Sequence, residues 1–458
     1  MTSPSGSTPD EARDFLVRHP DIEAVDIVLT DANGIGRGKI VRRHELEAIY
    51  RNGRGFPISI LGLDITGEDV HETGLIWDSG DGDLKAWPVP GTLVPVHGTS
   101  RAQVLMTMYH LDGRPMMSDP RHALARQLSR FSQRGLFPAG AFELEFFLLA
   151  NDRDADGRVQ PARAVLDGRA SGKTEVYSVD HLHGMQPLFD DIYKAAEAQG
   201  VPAETVISEY APGQYELTLN YRTDVMRAVD DLAMLKRLVR HQARRHGVTA
   251  CFMAKPIEKY AGSGMHMHVS LRDGEGGNVF AETTPGKWSD NILHAIGGLS
   301  STMAESMLVF APHANSWRRF VSQSYAPIAP TWGVNNRSVA LRIPESDARA
   351  RRIEHRPSGV DANPYLVATT VIAGIGKGMD ERLDPGPQTT GNGYETAMSS
   401  AMPADWRSAI EAASASAFLK DALGEEMHRT FTAIKRAEYF RVARTVSEVD
   451  YHLYLHEV

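Results

Sequence analysis

The sequence predicts an α+β protein made of a small β-rich domain and a larger mixed domain, and three observations carry that reading. Residues 24–116 hold short β-like runs broken by turn chemistry, with few helical periods. From residue 117 onward, amphipathic helical stretches and strand-like runs mix without a strict βαβ rhythm, which favours a largely antiparallel sheet over a doubly wound one. No internal repeat occurs, and no long linker divides the second half. Residues 1–23 read as an N-terminal extension, so the expected boundaries are 1–23, 24–116 and 117–458. A chain of 458 residues has room for two or three domains of about 150 residues each and for a substantial core.

In the first domain the β-like runs are AVDIVLT, GKIV, FPISIL and AWPVPGTLVPV. VLT-DANG-IGRGKIV predicts a hairpin with Asn33-Gly34 supplying the positive-φ turn. GIGRGK at 34–39 lacks the GxxxxGK[ST] spacing and sits in this hairpin, so it is not a phosphate-binding loop. The second domain opens on a helix capped by Asp119 with Pro120 at its first position, and Leu124, Leu128 and Phe131 recur at helical spacing before Gly135. AFELEFFLL (141–149) alternates as a strand, and residues 183–199 are helical up to Gly200. Val229, Leu232, Leu235 and Val239 make an apolar helical stripe that ends at Arg244, Arg245, His246 and Gly247, after which VTACFMAK reads as a strand.

Composition removes several function classes. With 42% hydrophobic and 23% charged residues the chain is too apolar for disorder. A net charge of −9 argues against a general nucleic-acid binder and against an anionic-membrane binder. The one cysteine, Cys251, in an apolar run typical of buried positions, can form no intrachain disulfide and rules out a four-cysteine zinc site. The opening residues lack a signal-peptide pattern, and no stretch reaches the roughly 20 apolar residues of a membrane span. The expected location is cytoplasmic, with small molecules rather than nucleic acid or membrane as partners.

Four motifs carry chemistry. Glu143 and Glu145 in FELEFF share one strand face, opposite Phe142, Leu144 and Phe146, and their hard oxygens suit Mg²⁺ or Mn²⁺, although an isolated ExE is more often a solvated face. In SEYAPGQYEL, Glu209 and Glu216 flank a Pro212-Gly213 turn that can fold both carboxylates toward one point. GSGMHMH (262–268) combines glycines that let backbone approach a ligand with His266 and His268 on one strand face. Arg318, Arg319, Arg337, Arg342, Arg349, Arg351, Arg352 and Arg356 form a basic field that only Glu345, Asp347 and Glu354 interrupt, and guanidinium forks fit phosphate and carboxylate oxygens. No GxSxG elbow occurs. Together these point to divalent ions bridging an anionic nucleotide while cations stabilise a transferring phosphoryl group.

In FELEFF, PGQYE, GSGMHMH, NNRSVALRIP and RRIEHRP, in that order, the sequence resembles the glutamine synthetase superfamily from about residue 24 to the C-terminus. FPISI, LDITG, YSVD, FMAKP and VDANPYLV look like its γ-glutamylpolyamine (γ-glutamylputrescine) synthetase branch. The resemblance implies a β-grasp domain followed by a catalytic domain with a curved antiparallel sheet and helices. It also implies a ring-based dodecamer with active sites between neighbouring subunits. Glu145, Glu209 and Glu216 match the ligands of the metal nearer the amino acid, and Glu143, His266 and Glu354 match those of the metal at the nucleotide phosphates. Two or more Mg²⁺ (or Mn²⁺) ions per site and ATP as co-substrate follow from the same likeness. Arg337, Arg342 and Arg356 match phosphate and phosphoryl-transfer arginines, Arg319 the residue that holds the glutamate α-carboxylate, and Gly262 lies beside that substrate. Glu204, His268, Ser270 and Arg352 match nucleotide-side positions, and Asp64 is the candidate base from the adjacent subunit.

The implied reaction phosphorylates the γ-carboxylate of glutamate and then lets an amine displace phosphate. Where ammonia-using relatives have a flap Glu this chain has Tyr325, Ala261 replaces an Asn before GSGMH, and Ile207 replaces a His. Losing polar groups around a small ammonium implies a larger alkyl amine, a polyamine such as putrescine, bound partly through aromatic faces. The competing readings are a glutamine synthetase using ammonium, a ligase for a monoamine or ethanolamine, and a catalytically inactive oligomer of the same fold.

Overall fold

Six strands form the first sheet: β1 (Ala24–Thr30), β2 (Gly36–Arg42), β3 (Arg54–Pro57), β4 (Asp83–Pro88), β5 (Val94–Val96) and β6 (Arg101–Tyr109). Their order is β2-β1-β6-β4-β3, with β5 on β6 and only β1 and β6 parallel. The structure, a computed structural model, describes residues 3–282, 284, 286–396 and 402–458. The expected β1–β2 hairpin is present, but its turn differs from the expected one: Gly34 has φ +76° and Asn33 does not have a positive φ. Asp31 is the reason. Its Oδ1 accepts from the backbone N–H groups of Asn33 and Ile35, both at 2.9 Å, and closes a wider loop than a two-residue turn.

Residues 1–23 carry helix Pro9–Arg18, whose Ala12 and Phe15 are buried in one core with Val25, Ile27 and Leu29. Val28 and Leu105, from β1 and β6, join the larger core of the rest of the chain instead. The first sheet is therefore apolar on both faces and is packed between its own helices and the second domain.

That second domain is built on β7 (Phe137–Ala150), β8 (Ala203–Ser208), β9 (Gln214–Leu219), β10 (Val248–Cys251), β11 (Met265–Arg272), β12 (Trp332–Val334), β13 (Leu341–Ile343) and β14 (Ile353–His355). The order is β12-β13-β14-β11-β7-β9-β8, with β10 on β7, and every pair except β12–β13 is antiparallel. Helix Pro120–Ser132 starts where expected, with Asp119 accepting from Arg121 N–H at 3.0 Å. Helix Gln186–Gln199 stops at Gly200, φ +65°, and a separate short helix, Val179–Gly184, precedes it because Pro187 opens a new helix. Helix Val225–Arg245 buries its apolar stripe, and Cys251 is half-buried rather than fully enclosed. No helix among the described residues is long and apolar enough to cross a membrane.

Hydrogen bonds from two later helices help tie the domains together. Asn363 caps helix Pro364–Glu381 and donates through Nδ2 to Asp31 O at 2.8 Å. Helix Glu425–Arg444 returns to the first domain, where Glu438 accepts from Ile65 N–H at 2.8 Å and the fully buried Lys435 pairs with Glu438 at 2.9 Å.

Candidate active site

Strand register assembles the site from residues far apart in sequence. Glu143 and Glu145 alternate onto one face of β7 because side chains two apart share a face. Across β11, His266 stands opposite Glu143; across β9, Glu216 stands opposite Glu145. On the far side of β11, His268 stands opposite Glu354, which in turn faces Arg342 on β13. Directly opposite residues lie about 5 Å apart at Cβ, so this register concentrates carboxylates, imidazoles and guanidiniums on one patch. Glu209 enters from the turn before β9, where Gly213, φ +73°, lets the chain reverse.

Three ligand groupings result, each with donor atoms within 4.8 Å of one another: Glu145, Glu209 and Glu216; Glu143, Glu216 and His266; Glu143, His268 and Glu354. The first is the set expected at the amino-acid side. In the second expected set, Glu143 Oε2 lies 2.9 Å from His266 Nδ1, and Glu354 Oε1 lies 3.8 Å from the same nitrogen. His268, assigned beforehand to the nucleotide side, also reaches Glu143, with Nε2 2.8 Å from Oε1, while Arg352 Nε donates to His268 Nδ1 at 3.1 Å.

The electrostatics divide the patch. Burial raises Glu209 to about 7, reinforced by Glu145, and pushes Glu216 well above the carboxylate range, reinforced by Glu143 and Glu145. Glu354 is also buried, but Arg356 first and then His268 and His266 outweigh that and hold it at about 2. Arg342 Nη1 donates to Glu354 at 2.6 Å and Arg356 Nη1 at 2.5 Å. Clustered oxygen donors without enough protein cations match what a hard divalent ion requires, and the imidazoles extend that set.

Beside the patch lies a cavity of about 490 Å³, lined by Glu143, Glu204, His268, Ser270, Arg349 and Arg352 among others. All four residues expected only at the nucleotide side therefore share one cavity of the size small ligands occupy. Arg342 is not among its lining residues; it is bound to Glu354 and to Asn335, 2.9 Å away. Asn220, which donates to Glu204 at 3.0 Å, and Tyr221 also line it and escaped sequence reading, because they follow β9 without any motif.

The remaining expected residues occupy varied places. Arg319 is buried, and Gly262 lies against it: a Cβ there would stand 2.8 Å from Arg319 Cγ. Arg337 is exposed, and its charge lowers the pKa of Glu209. Tyr325 is 62% exposed with φ +59°, a left-handed conformation rare for a bulky side chain, and its carbonyl accepts from Arg356 at 3.4 Å. Asp64 stands apart from these groupings. Its Oδ1 accepts from Thr66 N–H, Thr66 Oγ and Glu68 N–H, and its Oδ2 pairs with Arg441 at 2.8 Å. Within one chain both oxygens of that carboxylate are therefore engaged. Within the arginine field, Arg351 turns away to Glu282 at 2.9 Å and stacks on Trp288.

Comparison with known proteins identifies the family. The sequence family described as "Glutamine synthetase, catalytic domain" matches residues 117–454. The gamma-glutamylputrescine synthetase PuuA of Escherichia coli (strain K12) is 39% identical over 96% of this chain and 93% of its own length. The glutamate–isopropylamine ligase of a Pseudomonas species is 32% identical over 86% of this chain and 85% of its own. A solved structure described as a GmaS/ADP complex superposes with a TM-score of 0.83 at 26% identity, covering 99% of this chain and 100% of that one. The chain belongs to the glutamine synthetase family.

Proposed function

We propose that this protein is an ATP-dependent ligase that joins the γ-carboxylate of L-glutamate to an amine, with a polyamine such as putrescine as acceptor and γ-glutamyl phosphate as intermediate. The observation that carries the reading is the convergence of Glu143, Glu145, Glu216, His266, His268 and Glu354, with Arg342 and Arg356, on one sheet face next to a cavity. Its resemblance to amine ligases named for putrescine and isopropylamine supports an amine acceptor over ammonium.

Glu145, Glu209 and Glu216, and Glu143, His266 and Glu354, are the residues that would hold Mg²⁺ or Mn²⁺. Bound there, such ions supply positive charge to phosphate oxygens and lower the repulsion among the carboxylates. The chain's own residues do the rest. Glu204, His268, Ser270 and Arg352 line the cavity for the nucleotide, and Arg337, Arg342 and Arg356 provide guanidiniums for phosphate oxygens. Arg319 holds the α-carboxylate, and its stem packs against Gly262, where a Cβ would crowd it. A free carboxylate is a poor acyl donor, and phosphorylation replaces a bad leaving group with a stabilised one. The amine must lose a proton before it attacks. Asp64 reaches that role only from a neighbouring subunit of a ring-based dodecamer, with its ion pair to Arg441 opened.

Phosphate release, measured with glutamate and ATP fixed and the acceptor varied among putrescine, spermidine, a monoamine, ethanolamine and ammonium, tests the proposal. Fastest release with a polyamine is expected. Faster turnover on ammonium overturns the acceptor assignment, and no ATP consumption with any amine makes the protein an inactive oligomer.

A further inference from the structure

The turn that carries Arg319 is braced from behind by a residue with no role so far. Arg319 is 4% exposed and makes no side-chain ion pair among the described residues. Its guanidinium donates only to backbone, to Pro357 O at 2.8 Å and Arg356 O at 3.3 Å. On its other side Nη2 fills the space that a Cβ at Gly264 would need, 2.7 Å from it, so the guanidinium lies close against that backbone. A buried cation without a countercharge is strongly unfavourable. Burial lowers the pKa of Arg319, and Glu145 and Asp361 are the carboxylates that oppose this most. Glu145 belongs to the cluster with Glu209 and Glu216. Asp361 belongs to no such cluster.

Asp361 accepts through Oδ2 from Ser316 Oγ at 2.7 Å. Ser316 opens the single turn Ser316–Arg319, and its hydroxyl also accepts from His313 N–H at 3.0 Å. Asp361 Oδ1 is buried and has no hydrogen-bond partner among the described residues. An unbonded carboxylate oxygen in the interior is unfavourable unless its charge is used. Asp361 opposes the effect of burial on both Arg319 and Lys236, and Lys236 donates to the adjacent Val360 O.

We propose that Asp361 is the positioning residue for Arg319: through Ser316 it fixes the base of the turn, and it supplies the standing countercharge that keeps the Arg319 donors aimed at the amino-acid carboxylate. The inference rests on the reading of Arg319 as the holder of that carboxylate. Asp361 touches no reacting atom, so its removal acts on glutamate binding rather than on phosphoryl transfer.

Steady-state kinetics on the full-length enzyme separate the two ideas. Asp361→Asn is expected to raise KM for L-glutamate about tenfold while changing kcat and KM for ATP less than about threefold, with Asp361→Glu recovering part of the loss. Ser316→Ala, which keeps the charge and cuts only the link to the turn, is expected to raise the same KM by about threefold. Arg319→Ala is the control. If it leaves KM for glutamate unchanged, the reading of Arg319 fails. If it raises that KM while Asp361→Asn does not, the reading stands and the proposal is overturned. An equal loss in kcat and both KM values in Asp361→Asn marks a merely structural role and also overturns it. Should Asp361→Asn not fold, Ser316→Ala decides, and an unchanged KM for glutamate refutes the positioning role.

Discussion

The two halves of the site handle negative charge in opposite ways. Glu354, 0% exposed, is matched by Arg342 and Arg356, so its carboxyl is held at about 2 in spite of its burial. Glu216, 9% exposed, stands opposite Glu145 with no ion pair among the described residues, and burial together with its acidic neighbours pushes it upward. One half is neutralised by the chain itself; the other, the open half, gathers Glu145, Glu209 and Glu216 without an ion pair to a protein cation among the described residues, which is what the proposed metal site requires.

The largest effect expected from that contrast is on turnover. Glu145→Ala strips a carboxylate from the open half and is expected to abolish phosphate release with every amine; activity near the wild-type level would break the comparison. Next comes the sign of a stability change. Glu354→Gln leaves the buried Arg356 and the half-buried Arg342 without their partner and is expected to cost about 3–5 kcal/mol in urea denaturation. Glu216→Gln removes repulsion and is expected to raise the melting temperature of the chelator-treated protein. Equal signs would refute the division.

The pH dependence sharpens it further. Glu209 is raised to about 7 in the folded chain, from an ordinary 4.5, so the stability its proton contributes is full below about 4.5 and lost as pH rises through 7. Glu354 runs the other way: its stabilisation is present above about 4.5 and lost only as pH falls toward 2. The melting temperature of the chelator-treated protein is therefore expected to fall between about pH 5 and 8, and the increment restored by Mg²⁺ to grow over that range. A flat profile that Glu209→Gln does not alter would count against the open half. The smallest effect belongs outside both halves: Tyr325→Glu is expected to shift preference among amines by a few-fold in the acceptor panel while leaving KM for ATP unchanged.

Much of this was legible because strand periodicity is rigid. Alternation alone put Glu143 and Glu145 on one face, and His266 and His268 on another strand's face, and it placed the α+β mixture correctly. Cap chemistry marked helix Pro120–Ser132 and the end of helix Gln186–Gln199. Cross-strand register was not legible from single strands, which is why the reach of His268 to Glu143 appeared only in three dimensions. Arg351 and Arg352 lie in an irregular stretch with no period to orient them, and they point to different partners, Glu282 and His268. The partner of Asp64 was not legible in LDITG because Arg441 lies 377 positions further along the sequence.

That last separation bears on how the protein is made. The first domain's loop at Ile65 and its hairpin residue Asn33 are both held by helix Glu425–Arg444, through Glu438 and Lys435. During synthesis the N-terminal module therefore emerges long before this clasp exists, and its contacts with the helix form only after residues 425–444 have left the ribosome. A nascent chain cut short before that helix carries all six proposed metal ligands but a front half that lacks this clasp.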